Sequence, residues 1–189
     1  MFRGVKTPIP TYLSIDIDFF GYPFLASLEE FELFLEGVAK FSSDNNILIQ
    51  AMMNHHQMLR CVNQSHARRL VNLDAHSDLA NKDVDELNIG TWISYVKWRK
   101  QGQYIWLRNA SDPYGGECGY SFTYPHARHT DWDSVTTHHI DYVPTLRDLN
   151  KMSVVEIGMC MSPAFCEKDH EMSFVHWLKE NKIQYRKGL

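Results

Sequence analysis

Two short runs, Ser14-Ile15-Asp16-Ile17-Asp18-Phe19-Phe20 and Asn72-Leu73-Asp74-Ala75-His76-Ser77-Asp78, put an acidic or imidazole side chain at every second position. In a strand, residues i, i+2 and i+4 share one face. The pattern therefore predicts that Asp16 and Asp18 point the same way, as do Asp74, His76 and Asp78. Four carboxylates and one imidazole cannot sit unpaired in an apolar strand layer. The effective cost of burying an unpaired ion is on the order of several kcal/mol. Divalent cations are the simplest compensation.

Around these runs, strand-like and helix-like segments alternate. Residues 12–19 read as a buried strand. Ser27-Leu28-Glu29-Glu30 fits a capping box, with Ser27 as N-cap and Glu30 three positions on. Leu28, Phe31, Leu35 and Val38 follow at helical spacing, and Asp44-Asn45-Asn46 ends that helix. Residues 47–52 and 69–73 read as further strands, with 56–63 helical between them. An amphipathic helix over 91–101, strands over 104–107 and 153–161, and a closing helix over 172–183 complete the pattern. Residues 109–139 hold turn chemistry at Asp112-Pro113-Tyr114-Gly115-Gly116 and a run of histidines and aromatics. They read as a long loop with room for an irregular hairpin. Repeated strand–helix alternation with apolar strands predicts an α/β fold, a mainly parallel sheet covered on both faces in three α/β/α layers. Ligands of such sheets bind beyond the carboxyl ends of the strands, where Asp18 and Asp78 fall.

The chain has 189 residues, 44% of them hydrophobic, which fits one domain over 1–189. A formal net charge of −4 and the lack of a basic stripe argue against nucleic acid as a partner. No apolar run approaches the ~20 residues that span a bilayer, and the first residues lack a signal-peptide core. Cys61, Cys118, Cys160 and Cys166 are scattered, which reads as reduced thiols in a cytoplasmic protein. A Cys160–Cys166 disulfide is the lesser alternative. Neither cysteine has an evident paired base, so both read as core or supporting residues rather than nucleophiles.

Met53-Asn54-His55-His56-Gln57 follows the second strand and brings an imidazole to another strand end. The candidate metal ligands are then Asp16, Asp18, His55, Asp74, His76 and Asp78. Six such donors are too many for one tetrahedral zinc, which takes three or four protein ligands rich in His or Cys. They suit two ions joined by carboxylates, and an oxygen-rich set with some imidazole favours Mn²⁺. Two ions about 3.5 Å apart lower the pKa of a shared water, which is hydrolytic machinery. A lone Asp-x-Asp is usually structural. It is the combination with Asp-x-His-x-Asp and His-His that points to metal. His56 also reads as an ordinary helix-face residue.

Asp74-Ala75-His76-Ser77-Asp78 resembles the Asp-Ala-His-x-Asp motif of the arginase/agmatinase superfamily. Ser14-Ile15-Asp16-Ile17-Asp18 resembles its Ser-x-Asp-x-Asp strand, and Asn54-His55 its Asp-His element. His55-His56-Gln57, the 73–79 run and Asn88-Ile89-Gly90-Thr91-Trp92-Ile93 are closer still to the UPF0489 branch, which includes peptide arginases. The resemblance covers roughly residues 11–110. It implies a ureohydrolase with two Mn²⁺ that converts arginine to ornithine in a ribosomally made precursor peptide. It implies Asp16 and Asp74 as bridging ligands, His55 and Asp78 completing one ion, and His76 and Asp18 the other. A shared hydroxide would attack the guanidinium carbon and release urea.

The chain departs from that family in two ways. The Asp-x-Asp run precedes Asp-x-His-x-Asp, so the chain reads as permuted, which a compact domain with neighbouring termini tolerates. The proton-shuttle histidine is also missing near Asn88-Ile89-Gly90; His56, His126, His129 or water remain as donors. A guanidinium calls for a carboxylate partner. Glu29 and Glu30 are the candidates, against a plain capping and helix-dipole role, with Glu156 as the alternative. Residues 109–139 could line a peptide groove or simply cover the domain. Two other functions stay open: a metallohydrolase of the same scaffold acting on a small guanidino or amide substrate, and a metal-stabilised module without turnover.

Overall fold

The computed structural model describes residues 8–21, 26–79, 87, 89–97, 102–109, 132–140 and 142–185. Among the described residues there are six strands: β1 (Thr11–Asp16), β2 (Ile49–Met52), β3 (Arg69–Leu73), β4 (Gly102–Asn109), β5 (Trp132–Ile140) and β6 (Val154–Cys160). They form one sheet in the order β2-β6-β1-β3-β4-β5, and every pairing is parallel. The helices are α1 (Leu28–Asn45), α2 (Met58–Gln64), α3 (Leu146–Lys151) and α4 (Lys168–Glu180). Single 3-10 turns occupy Ile17–Phe20, His55–Gln57 and Trp92–Tyr95.

Strand alternation sorts the core into two clusters. Leu13 and Ile15 of β1 join Phe31, Phe34, Leu35 and Val38 of α1 and Phe174, Trp177 and Leu178 of α4. Tyr12, one step out of phase, joins Met58, Cys61 and Val62 of α2 with Trp92 and Ile93. Helical segments thus cover both faces, and the expected mainly parallel α/β architecture is observed. Ser14 and Asp16 share the face of Tyr12 by the same alternation.

Local signals fix the elements that carry the site. Ser27 and Glu30 close the expected capping box at the start of α1. Asn46, at φ 53°, ends that helix in the left-handed conformation, which asparagine tolerates better than most residues. The Phe20 ring packs 5.0 Å from Phe31 and 4.8 Å from Phe34, which anchors the turn holding Asp18 to α1. On the opposite face, a Cβ at Gly158 of β6 would lie 2.6 Å from the Tyr12 hydroxyl and 2.8 Å from Met58 Sδ. A side chain at 158 would displace the Tyr12 hydroxyl or the Met58 side chain of α2, both buried.

The chain leaves β1 through α1 toward β2 on one side of the sheet and leaves β3 toward β4 on the other. Neighbours whose connections diverge in this way open a crevice at their carboxyl ends. β1 and β3 are those neighbours here.

Several expectations are corrected. The first strand stops at Asp16, and Asp18 lies in the 3-10 turn that follows. β3 stops at Leu73, so Asp74, His76 and Asp78 lie beyond the ladder. In the described part of 91–101 the helix is a single 3-10 turn. Of the expected loop over 109–139, residues from Trp132 onward form the edge strand β5; 110–131, with His126 and His129, lie outside the described residues. The closing helix begins at Lys168, not at residue 172, and ends at Glu180. No helix among the described residues is long and apolar enough to cross a membrane.

Candidate metal centre

The sheet register sets the positions. Asp16 is level with Cys160, and Cys160 with Met52. Leu73 is level with Ile15. The chain leaves the ladder at or just beyond this line in each of the four strands, and the six candidate ligands cluster there.

His55 is the hub of the inner part. Its Nδ1 lies 3.0 Å from Asp16 Oδ2, 3.1 Å from Asp74 Oδ2 and 2.7 Å from Asp78 Oδ2. All four side chains are buried, the His55 ring at 1% exposure. None of the three carboxylates stands in hydrogen-bonding geometry to Nδ1, which is a buried nitrogen without a hydrogen-bond partner. Three carboxylate oxygens and a ring nitrogen converging without bonding is how donors surround a common point. The other ring nitrogen, Nε2, lies 2.8 Å from Ser14 Oγ. A proton on Nε2, donated to Ser14, leaves the Nδ1 lone pair for a cation.

The outer part is built on His76. Its Nδ1 lies 3.1 Å from Asp18 Oδ2 and 3.8 Å from Asp74 Oδ1. The His76 side chain is 56% exposed, and its ring stands edge-on to Phe165 at 5.7 Å. Asp74 belongs to both parts: Oδ2 faces His55 and Oδ1 faces His76. Donor atoms of Asp16, His55 and Asp74 lie within 4.8 Å of one another, and so do those of Asp18, Asp74 and His76.

Neutral donors hold the carboxylates in place. Asn72 Nδ2 donates to Asp74 Oδ2 at 2.8 Å, and Trp92 Nε1 to Asp78 Oδ2 at 2.5 Å. Ser162 Oγ donates to Asp16 Oδ2 at 2.5 Å. The amide of Asp18 donates to Asp16 Oδ1 at 3.2 Å, and that of His76 to Asp74 Oδ1 at 2.8 Å. Trp106 Nε1 donates to the Asp74 carbonyl at 2.9 Å, which fixes the backbone just past β3. Asp78 itself has φ 50°, a strained conformation of the kind concentrated at functional sites.

The electrostatics are those of a site that could hold a cation. Every ion pair of these four carboxylates among the described residues is with a histidine. Burial, then the charges of Asp16 and Asp74, push the Asp18 carboxyl up to about 8 against the pull of His76. Burial and Asp78 push Asp74 up to about 7, with His55 opposing. Burial raises Asp78 as well. The hydrogen bond to Asp18 leads the causes that lift His76 to about 10. Burial alone would lower the His55 pKa, but Asp78, Asp16 and Asp74 outweigh it and hold it well above the ordinary value. A metal ion would offset the carboxylate charges, and the buried Asp16, His55, Asp74 and Asp78 cluster is one that could hold it.

The structure thus brings all six sequence-predicted ligands together. Glu156 is elsewhere: it is level with Tyr12, four residues before Asp16 along β1, about 13 Å down the strand direction. It accepts from Ser65 Oγ at 2.5 Å and Gln50 Nε2 at 3.3 Å. Glu30 is engaged in the capping box, accepting from the Ser27 amide at 2.9 Å; Glu29 is exposed beside it. His56 is half-buried, and burial with the neighbouring His55 charge lowers its pKa. Cys160 and Cys166 are free, and burial raises both thiols, Cys166 to about 12. Sequence reasoning missed Asn72, Trp92 and Ser162 as carboxylate partners. Asn72 stood at the required two-residue spacing before Asp74; Trp92 and Ser162 carried no local signal.

No protein-family model matches the chain, and neither the curated proteins nor the solved structures contain a match to it.

Proposed function

We propose that the protein is a dimanganese ureohydrolase of the arginase type, which hydrolyses arginine side chains in a ribosomally made precursor peptide to ornithine side chains and urea. The observation that supports it most is the division of Asp74 between two donor groups, Oδ2 toward His55 and Oδ1 toward His76. Asp16, Asp78 and His55 would hold one ion, Asp18 and His76 the other, with Asp74 common to both; the second bridge that the resemblance implies, Asp16, is not proposed, because its Oδ2 faces His55 and its Oδ1 accepts from the Asp18 amide. Oxygen donors with a minority of imidazole favour manganese. Two such ions, when bound, would supply a hydroxide nucleophile at neutral pH and polarise the group under attack.

The chain's own residues supply placement. Ser14 fixes the His55 ring, and the neutral donors keep each carboxylate turned inward. The centre is open on the His76 side, beside the exposed Phe165, where a side chain of a larger peptide can enter. Glu29 is the proposed guanidinium partner, since Glu30 is engaged in capping. His56, His126 and His129 are the proposed proton donors to the leaving amine.

The test is mass spectrometry of arginine-containing peptides incubated with the Mn²⁺-loaded protein. Each conversion should remove CN₂H₂ from the peptide and release one urea. Unchanged peptides alongside urea release from small guanidino compounds would move the reading to the small-substrate hydrolase. No urea from either would sink it.

A further inference from the structure

We infer that Ser162, just past β6, is a positioning residue that sets the Asp16 carboxylate for metal binding; the inference rests on the metal-centre reading above. Ser162 is 5% exposed and has φ 42°, a left-handed conformation that serine rarely adopts and that strains the backbone. Such strain persists only where the surroundings over-determine it. Here they do so from three sides. The Ser162 amide donates to the Met53 carbonyl at 3.0 Å, two residues before His55. Its hydroxyl donates to Asp16 Oδ2 at 2.5 Å. The same Oγ lies 3.3 Å from Cys160 Sγ.

The direction of these bonds follows from the donor inventory. A carboxylate only accepts, so the Ser162 proton points at Asp16 Oδ2. The serine oxygen then lies within reach of the Cys160 S–H at 3.3 Å, which also has the Met53 carbonyl as an acceptor at 3.5 Å. Asp16 Oδ2 is also the oxygen that faces His55 at 3.0 Å, and Oδ1 is held by the Asp18 amide. With both oxygens fixed, the carboxylate cannot swing away to relieve repulsion from Asp74 and Asp78. Ser162 thus links β6, the His55 turn and the end of β1, three segments that must keep register for the inner donors to converge.

A structural role alone and a positioning role predict different results for Ser162→Gly and Ser162→Ala. Glycine removes the hydroxyl but also relieves the strained φ. Positioning predicts that metal-free Ser162→Gly melts at or above the wild-type temperature, while calorimetric titration with Mn²⁺ alone shows affinity reduced about 10–100-fold. Ser162→Ala should lose the same affinity and, keeping the strain, melt lower than Ser162→Gly. Wild-type Mn²⁺ affinity in both variants would overturn the role of Ser162 and leave the metal centre standing. No Mn²⁺ binding by the wild-type protein would overturn the metal centre and the inference with it.

Discussion

The two donor groups that share Asp74 are built differently. Around His55, three carboxylates and the imidazole are all buried, and Ser14, Asn72, Trp92 and Ser162 hold them from the outside. Around His76, the imidazole is 56% exposed and stands beside an exposed Phe165. The first is a closed, preorganised pocket; the second is its open mouth. A rigid surround lowers the reorganisation needed to bind an ion, while exposure leaves room for exchange and for a substrate. On the proposed reading, the inner group holds an ion and the outer one gives access.

The largest expected effect comes from the residue common to both. Asp74→Ala should abolish manganese binding in both groups, a loss greater than the ~10–100-fold typical of an outer partner; titration calorimetry checks it. Next come the two histidines. His76→Ala should retain one manganese per chain, held by the inner group, whereas His55→Ala should weaken the inner ion. Metal analysis after dialysis separates these outcomes, and equal losses in the two variants would erase the distinction between pocket and mouth.

The smallest effect is on the metal-free protein. The native carboxyls of Asp18 and Asp74 titrate at about 8 and 7, above the ~3.9 of an unfolded aspartate. Native protein therefore holds more protons than unfolded protein between about pH 4 and pH 8, so stability falls as pH rises through that window. His76, raised to about 10, acts in the same direction from about pH 6.5 upward. Metal-free protein should thus melt lower at about pH 8 than at about pH 5. Saturating Mn²⁺ should reverse the order, because ion binding releases those protons. Thermal melts at both pH values decide it.

The six ligands were legible in the sequence because their chemistry is local: spaced carboxylates, an Asp-x-His-x-Asp run and a His-His pair at a strand end. The conformation carrying them was less so. Alternate spacing was assigned to strands, yet Asp18 lies in a 3-10 turn and Asp74, His76 and Asp78 beyond β3. A two-residue spacing also suits a turn in which the Asp18 amide bonds back to Asp16, and periodicity does not separate the two. The capping box at Ser27 and Glu30 was readable because its partners sit only three positions apart. β5 was not, because an edge strand lacks the continuous apolar run of a central one, and Asp133, Ser134, His138 and His139 masked its Val and Thr residues. Trp92 and Ser162 escaped notice for a third reason: they meet Asp78 and Asp16 only through tertiary folding, Ser162 across 146 positions.

The central claim is a two-ion centre divided by Asp74. Manganese bound per chain at saturation, measured on wild-type and Asp74→Ala proteins side by side, tests it most directly. The account predicts two ions in the wild type, one held more tightly than the other, and none in the variant. A single ion in the wild type, or undiminished binding in Asp74→Ala, would contradict it.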